Sequence, residues 1–467
     1  MTLKSDRQTD FAYQAVYRYM VNLINEIGTD ARVKLPSLRQ LSGRLNVSIS
    51  TVQYAYSLLE KEGRIYSVAK SGYYAWPVPT QPAGCTGGDL LERLYAGTRR
   101  PGMLVLSVDE PVLQLSLDGP LLLLERELVR QYPRHLQPWS QPCGAWELRA
   151  ALAARYTSSP TRCWQADDVY IGADLRGVLE ILIEVLGLKG ATVIVESPCD
   201  WSILRLLQES GVGIIELPYR HGSLDLAAFE RLLRNESVHL TLLSSRVSQP
   251  SGSVMSSSER LQVVHLLDQY GCWLLENDSE GELGFEQPVT ALRDLANPER
   301  LVVFSTLGKV LGPEAPYGYL LSRYLSAELQ RQFLLRAFRL SSIRQRALAR
   351  LYQNGRIDQH LQELRRLLKE QATLMSQRLD EHLAEWVSYR MPVAGTTFWL
   401  SARQAVDMRQ VFQHMLGQRV VIAPGELFSV SGLHQQHLRL SHSFDGQYNL
   451  DLALVELAQA LKRAQVG

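Results

Sequence analysis

At 467 residues the chain is too long for one small hydrophobic core, so two or more domains are expected. Its 46% hydrophobic and 21% charged content excludes a disordered chain, and the lack of any apolar run of 18 residues excludes a membrane-spanning helix. The formal net charge of +1 hides an asymmetry: residues 1–76 hold ten Lys and Arg against six Asp and Glu, a basic head on a slightly acidic body. The first residues lack the apolar centre of a signal peptide. Cys85, Cys143, Cys163, Cys199 and Cys272 are scattered without metal-ligand spacing. Both features predict a cytoplasmic protein with reduced thiols and no metal.

Along the chain, Val16, Met20, Leu23 and Ile27 recur at helical spacing and give a first helix its apolar stripe. Ser37 followed by Gln40 is a capping box, so a second helix begins there. Gly43 to Val47 supplies a turn, and Ser48 caps a third helix whose Val52, Ala55 and Leu59 face inward. Ile49, Ser50, Gln53 and Tyr54 then project outward near its N-terminal end, the end that meets base edges in helix-turn-helix proteins. Glu62-Gly63-Arg64-Ile65 ends this helix and starts a hairpin. Lys70-Ser71-Gly72 at its tip is a basic turn suited to a phosphate or minor-groove contact.

Over residues 10–76 the sequence resembles the GntR family of winged-helix repressors, in Leu35-Pro36-Ser37-Leu38-Arg39, Val47-Ser48-Ile49-Ser50-Thr51-Val52, Leu58-Leu59-Glu60-Lys61-Glu62-Gly63 and Ser71-Gly72-Tyr73. The resemblance implies DNA contacts from Arg39, Ser50, Thr51, Ser71 and Gly72, to which the reading of the helix start and hairpin tip adds Ser48, Gln53 and Lys70. Two recognition positions often occupied by arginine in that family are Ile49 and Gln53, which removes two phosphate or guanine contacts. The alternative is a three-helix module used only for protein contacts. The joint occurrence of capped helix, turn and wing favours DNA.

Three prolines in residues 77–84 and the Gly87-Gly88 pair mark a linker over 77–100, between a head at 1–76 and a body at 101–467. In the body, β-rich runs at 168–172, 192–196, 212–216, 240–244, 271–276 and 301–306 alternate with amphipathic helical stretches such as 175–187 and 258–270. This predicts an α/β domain with a mainly parallel sheet covered on both faces. Residues 322–385 read as largely helical, and the chain from 386 onward as a smaller C-terminal subdomain of mixed strand and helix.

Thr306 lies three residues before Lys309, directly after the strand Leu301-Val302-Val303-Phe304. A lone lysine of this kind is usually a solvated surface residue. Here it has company in Cys143-Gly144-Ala145-Trp146-Glu147-Leu148-Arg149, Ile171-Gly172-Ala173, Glu196-Ser197-Pro198, Gln249-Pro250-Ser251-Gly252 and His437-Leu438-Arg439-Leu440-Ser441. In this order the segments resemble fold-type I aminotransferases, and with the head the whole chain resembles the MocR subfamily of GntR regulators. The resemblance implies a homodimer with pyridoxal phosphate as cofactor and transcription as output. Lys309 would form the Schiff base, with Thr306, Gly172, Ala173, Gln249 and Asn277 around the cofactor and Arg439 on a ligand carboxylate.

Several positions depart from that pattern. The phosphate-clamping arginine is Pro316, which has neither charge nor donor. The glutamine of the glycine loop is Asp174, with Arg176 nearby as a substitute only if the loop is rearranged. The aspartate that protonates the pyridine nitrogen is Asn277, with Asp278 one residue on and expected on the opposite strand face. A tyrosine is replaced by Ser279, and the ring-stacking aromatic by Asp200, with Trp201 adjacent. These losses predict weak or absent cofactor binding. They favour a regulator sensing pyridoxal phosphate or an amino-acid-like carboxylate over the alternative, an active pyridoxal-phosphate-dependent aminotransferase with an appended DNA-binding head.

Overall fold

The structure is a computed structural model that describes residues 12–26, 34–61, 65–68, 71–75, 89–100, 102–110, 115–132, 141–220, 222–285, 290–444 and 450–466. The chain divides into two compact units, Met1–Met103 and Leu104–Gly467. In the first, α1 (Ala12–Glu26), α2 (Leu38–Leu45) and α3 (Ile49–Lys61) precede an antiparallel hairpin of β1 (Ile65–Val68) and β2 (Gly72–Ala75). Ser37 and Gln40 close the expected capping box, with the Gln40 N–H donating to Ser37 Oγ at 3.3 Å and the Ser37 N–H to Gln40 Oε1 at 2.9 Å. Val16, Met20, Leu41, Val52, Ala55, Leu59 and Ile65 build the core, while Ile27 lies outside the described residues.

The turn falls inside its expected span of Gly43 to Val47 but begins later. Gly43 continues α2, and the reversal falls on Asn46 at φ 52°, where a short amide side chain tolerates left-handed backbone. Tyr56, which the spacing did not single out, is fully buried and donates to the Pro36 carbonyl at 2.6 Å, tying α3 to the entry of α2. Residues 76–88 lie outside the described residues. Within the stretch read as linker, Leu90–Thr98 forms a helix, α4, whose buried Leu90 and Leu94 are one turn apart.

The second unit begins with β3 (Leu104–Val105), α5 (Asp118–Gln131) and α6 (Trp146–Tyr156). The α/β alternation follows as β4 (Val169–Ile171), α7 (Leu175–Val185), β5 (Thr192–Ser197), α8 (Trp201–Glu209), β6 (Gly213–Arg220), β7 (Ser223–Leu224), α9 (Leu226–Asn235), β8 (Val238–Ser244), α10 (Ser257–Gln269) and β9 (Trp273–Asn277). Then come β10 (Leu301–Thr306), the short α11 (Gly308–Leu311), β11 (Gly318–Leu321) and three helices, α12 (Ser326–Arg336), α13 (Ser342–Gln353) and α14 (Arg356–Leu383). The chain ends in β12 (Val387–Tyr389), β13 (Thr397–Ala402), α15 (Met408–Gly417), β14 (Val420–Val421), β15 (Ala423–Pro424), β16 (His437–Ser441) and α16 (Leu450–Arg463).

The central sheet runs β4-β11-β10-β9-β8-β5-β6-β7, parallel except at β11 and β7. Alternate residues of its strands enter opposite cores. Ile194, Leu243, Leu274, Val303 and Leu321 go to one face, and Val193, Val195, Leu242, Leu275, Val302, Phe304 and Leu320 to the other. On α14, Ile357, Leu361, Leu364, Leu368, Ala372, Met375 and Leu379 bury one stripe at steps of three and four. The C-terminal sheet is β12-β13-β16-β15, antiparallel throughout, as a separate smaller layer.

The sheet's carboxyl edge gathers the ends of β4, β5, β8, β9 and β10, where ligands of open α/β sheets bind. A buried ion cluster fixes the β9 end. Arg293 pairs with Glu276 and, at 3.1 Å, with Asp278, donates to Ser245 Oγ at 2.9 Å, and lies 4.6 Å from the Tyr156 ring centroid. Removing one partner of such a cluster leaves buried charge uncompensated. Arg293→Met is therefore expected to destabilise the second unit by about 3–5 kcal/mol, read as a lowered urea midpoint. A change under about 1 kcal/mol, the range of a surface pair, contradicts the assignment.

Candidate functional site

In the head, Ser48 begins α3 as a cap: its Oγ accepts the Thr51 N–H at 3.1 Å and lies 2.8 Å from Ser50 Oγ and 2.7 Å from Thr51 Oγ1. Ser50, Gln53 and Tyr54 are exposed, as is Ile49, and Arg39 is exposed on α2. The expected outward face of the third helix is therefore present, with small hydroxyls at its first turn. At the hairpin, Ser71 Oγ sits 2.6 Å from Tyr74 Oη, and Gly72 takes φ 114°, a backbone only glycine adopts freely. Lys70 lies outside the described residues.

In the second unit, Lys309 sits on α11, one turn beyond β10, with 13% of its side chain exposed. Its Nζ lies 2.8 Å from Asp109 Oδ2 and 3.2 Å from Glu280 Oε1, and donates to the Asp109 carbonyl at 2.8 Å. Arg439, on β16 and 3% exposed, reaches the same Asp109 Oδ2 at 3.2 Å and also donates to the Ser107 carbonyl. Its guanidinium lies 4.4 Å from the Trp201 ring centroid and 4.9 Å from that of Phe428. Trp201, considered as a cofactor-stacking substitute for Asp200, is thus committed to Arg439. Asp200 caps α8, accepting the Ser202 N–H at 2.8 Å.

The charges set one another. Burial alone would lower the Lys309 ammonium, but Asp109 and Glu280 outweigh it and hold it above the usual lysine range. Burial would raise the Asp109 carboxyl, but Lys309 and Arg439 hold it well below the usual carboxylate range. Burial raises Glu280 and Asp200, with Asp109 adding its repulsion and Lys309 and Arg439 opposing. An ammonium locked between two carboxylates is the opposite of the free amine that imine formation needs.

The expected phosphate seat is also rebuilt. Gly172 is buried and Ala173 half-buried after β4, but the Asp174 carboxylate accepts the Gly177 N–H at 2.7 Å and so occupies the N-terminus of α7. An anion there fills the place where a phosphate would dock. Pro316 is exposed and brings no charge. Arg176 does not compensate: it is solvent-facing and paired with Glu180 at 3.1 Å and Glu209 at 2.8 Å. Thr306 Oγ1 donates to the Tyr317 carbonyl at 3.3 Å. Gly318 passes so close that a Cβ on it would fall 2.4 Å from the Asp174 carbonyl oxygen.

Around the remaining positions, Asn277 Oδ1 accepts the Ser279 N–H at 3.1 Å, and Asp278 turns to Arg293 on the opposite side, as strand alternation predicts. Gln249 accepts from Thr397 Oγ1 at 3.3 Å and donates to the Ala394 carbonyl at 3.4 Å. The structure thus brings Lys309 and Arg439 together over one carboxylate. The residues present do not fit pyridoxal phosphate. Asp109 and Glu280 were missed by sequence reasoning, because a pairing across such chain separations leaves no local signature. Addition of pyridoxal phosphate followed by desalting is expected to leave no retained visible absorbance. A band that persists in the native chain and vanishes in Lys309→Ala would overturn the misfit.

A family model described as Aminotransferase class I and II matches residues 139–450, and one described as Bacterial regulatory proteins, gntR family, matches residues 12–74. The uncharacterized HTH-type transcriptional regulator YdcR of Escherichia coli is 28% identical over 452 residues, spanning 92% of this chain and 94% of its own length. YjiR of the same organism, described in the same words, is 25% identical over 449 residues with the same shares. The crystal structure of an α-aminoadipate aminotransferase from Thermus thermophilus, complexed with N-(5'-phosphopyridoxyl)-L-leucine, shares the fold at a TM-score of 0.72 and 21% identity, over 81% of this chain and 95% of its own. The chain therefore belongs to the aminotransferase class I and II family, with a GntR-family helix-turn-helix segment ahead of that domain.

Proposed function

We propose that the chain is a sequence-specific DNA-binding transcription regulator of the MocR type, acting as a cytoplasmic homodimer. Its aminotransferase-like body is the effector domain and no longer an aminotransferase. The observation that carries the reading is the capped, outward-facing start of α3, where Ser48, Ser50, Thr51 and Gln53 offer short hydrogen-bonding groups at the end that enters a major groove. Arg39 supplies a phosphate contact, and Ser71 and Gly72 the wing. YdcR and YjiR, similar over nearly their whole lengths, are both described as HTH-type transcriptional regulators, which supports the reading.

The effector is an amino-acid-like carboxylate received by Arg439, whose guanidinium offers a forked pair of donors, with Lys309 as a second cation. Pyridoxal phosphate is disfavoured by Asp174, Pro316, Asn277 and the paired state of Lys309. Retention of Lys309 and Arg439 is what speaks for the second reading, an active aminotransferase. Steady turnover of an amino acid with a keto acid would establish it.

The test is binding of the purified full-length protein to duplex DNA from upstream of its own gene, across a salt series. Affinity is expected to fall linearly in log–log form with salt, and Arg39→Ala to weaken binding about equally across sequences and to reduce the salt slope by about 1. Ser50→Ala is expected to relax sequence preference more than it weakens the salt slope. No binding to any duplex sinks the proposal.

A further inference from the structure

The carboxylate seat formed by Lys309 and Arg439 holds a residue of this chain. Asp109 Oδ2 lies 2.8 Å from Lys309 Nζ and 3.2 Å from an Arg439 terminal nitrogen, so one oxygen bridges both cations. The backbone around it is also held. The Asp109 carbonyl accepts from Lys309 at 2.8 Å and from Thr396 Oγ1 at 2.9 Å, and the Ser107 carbonyl accepts from Arg439. Just upstream, β3 pairs in parallel with β14, and the Leu106 carbonyl accepts the Ser441 N–H at 2.7 Å. The segment is thus pinned up to the seat, and the carboxylate is delivered to it.

We infer that Asp109 is a built-in occupant of this seat, an internal mimic of the ligand carboxylate, and that an external carboxylate binds only by exchange with it. The inference rests on the proposed reading of Arg439 as a carboxylate site and adds what that site does when no effector is present. Charge balance requires the exchange. Two nearly buried cations facing Glu280 and Asp200 tolerate one further anion between them, since a second would be repelled by the three carboxylates present. About a third of the Asp109 side chain remains exposed, whereas Lys309 and Arg439 are almost covered, so the tethered acid is the member of the cluster with room to leave.

A carboxylate tethered beside its own seat competes at an effective concentration in the millimolar range or above. An external ligand then sees its affinity reduced by the small fraction of molecules in which the seat is open. Glu280 sharpens the choice of ligand. It keeps Lys309 an ammonium, so the seat accepts an anion by pairing and hydrogen bonds and does not capture an aldehyde. Its second oxygen, Oε2, is buried without a hydrogen-bond partner among the described residues, an acceptor open to the ammonium of an incoming amino acid. Because β3 and Leu106 stay paired with β14 and β16, exchange at the seat frees the Asp109 carboxylate and leaves the segment before it in place.

The experiment removes the internal carboxylate and supplies it from solution. In Asp109→Ala the missing atoms are those of formate. The melting temperature of this variant is expected to fall below that of the native chain and to recover saturably with sodium formate but not with sodium chloride of equal ionic strength. Half-saturation is expected at a formate concentration at least about tenfold lower than any effect on the native chain, following the open fraction. Adding Arg439→Ala should abolish the recovery. Asp109→Asn, which preserves the shape, keeps the test alive if the alanine variant does not fold: the amide is displaced more readily than the carboxylate, so formate acts at lower concentration than in the native chain. Equal formate responses in native and Asp109 variants overturn the internal occupant while leaving the carboxylate site standing. No response in any of them overturns the site and, with it, the inference.

Discussion

Lys309 and Arg439 come from distant parts of the chain, one from the turn after the last parallel strand of the large sheet and the other from the middle of the small C-terminal sheet. They are nearly buried and would repel each other if nothing lay between them. The carboxylate that separates them makes their proximity possible, so the two sheets can close around the pocket without stranding positive charge. The neighbours are committed as well: Glu280 satisfies the other side of Lys309, Trp201 and Phe428 pack together against the Arg439 guanidinium, and Asp200 caps a helix.

The same logic of saturated partners explains why the cofactor cradle has gone while the fold has stayed. Fold stability draws on the two cores either side of the parallel sheet and on the buried Glu276–Arg293–Asp278 cluster, none of which needs a bound molecule. The cradle, by contrast, is a set of unsatisfied groups awaiting an anion. Here those groups have found protein partners: the α7 N-terminus has Asp174, Arg176 has two glutamates, and Gln249 has Thr397 and Ala394. The fold of this family can therefore stand with the groups of its cradle satisfied from within the chain.

Much of this was legible in the sequence, and the parts that were not share a cause. Strand runs at 192–196, 240–244 and 301–306 announced themselves because a strand buried on both faces reads as an unbroken apolar run. The Ser37–Gln40 box and the Ser48 cap are local devices with local spellings. Lys309 and Arg439 were found through the motifs that carry them. Their partner Asp109 was not, because an ion pair closing more than three hundred residues of chain has no spacing to recognise. The turn lies within the expected span of Gly43 to Val47 but starts later, at Asn46, because glycine is tolerated inside a helix and a left-handed asparagine ends one. The helix at Leu90–Thr98 was overlooked in the shadow of the prolines before it.

The Asp174 cap bears on how such a protein can change over evolutionary time. Glutamine in its place would strip the α7 N-terminus of the carboxylate that accepts the Gly177 N–H. Making room for a phosphate at this helix therefore begins with the loss of a hydrogen bond that the fold already uses.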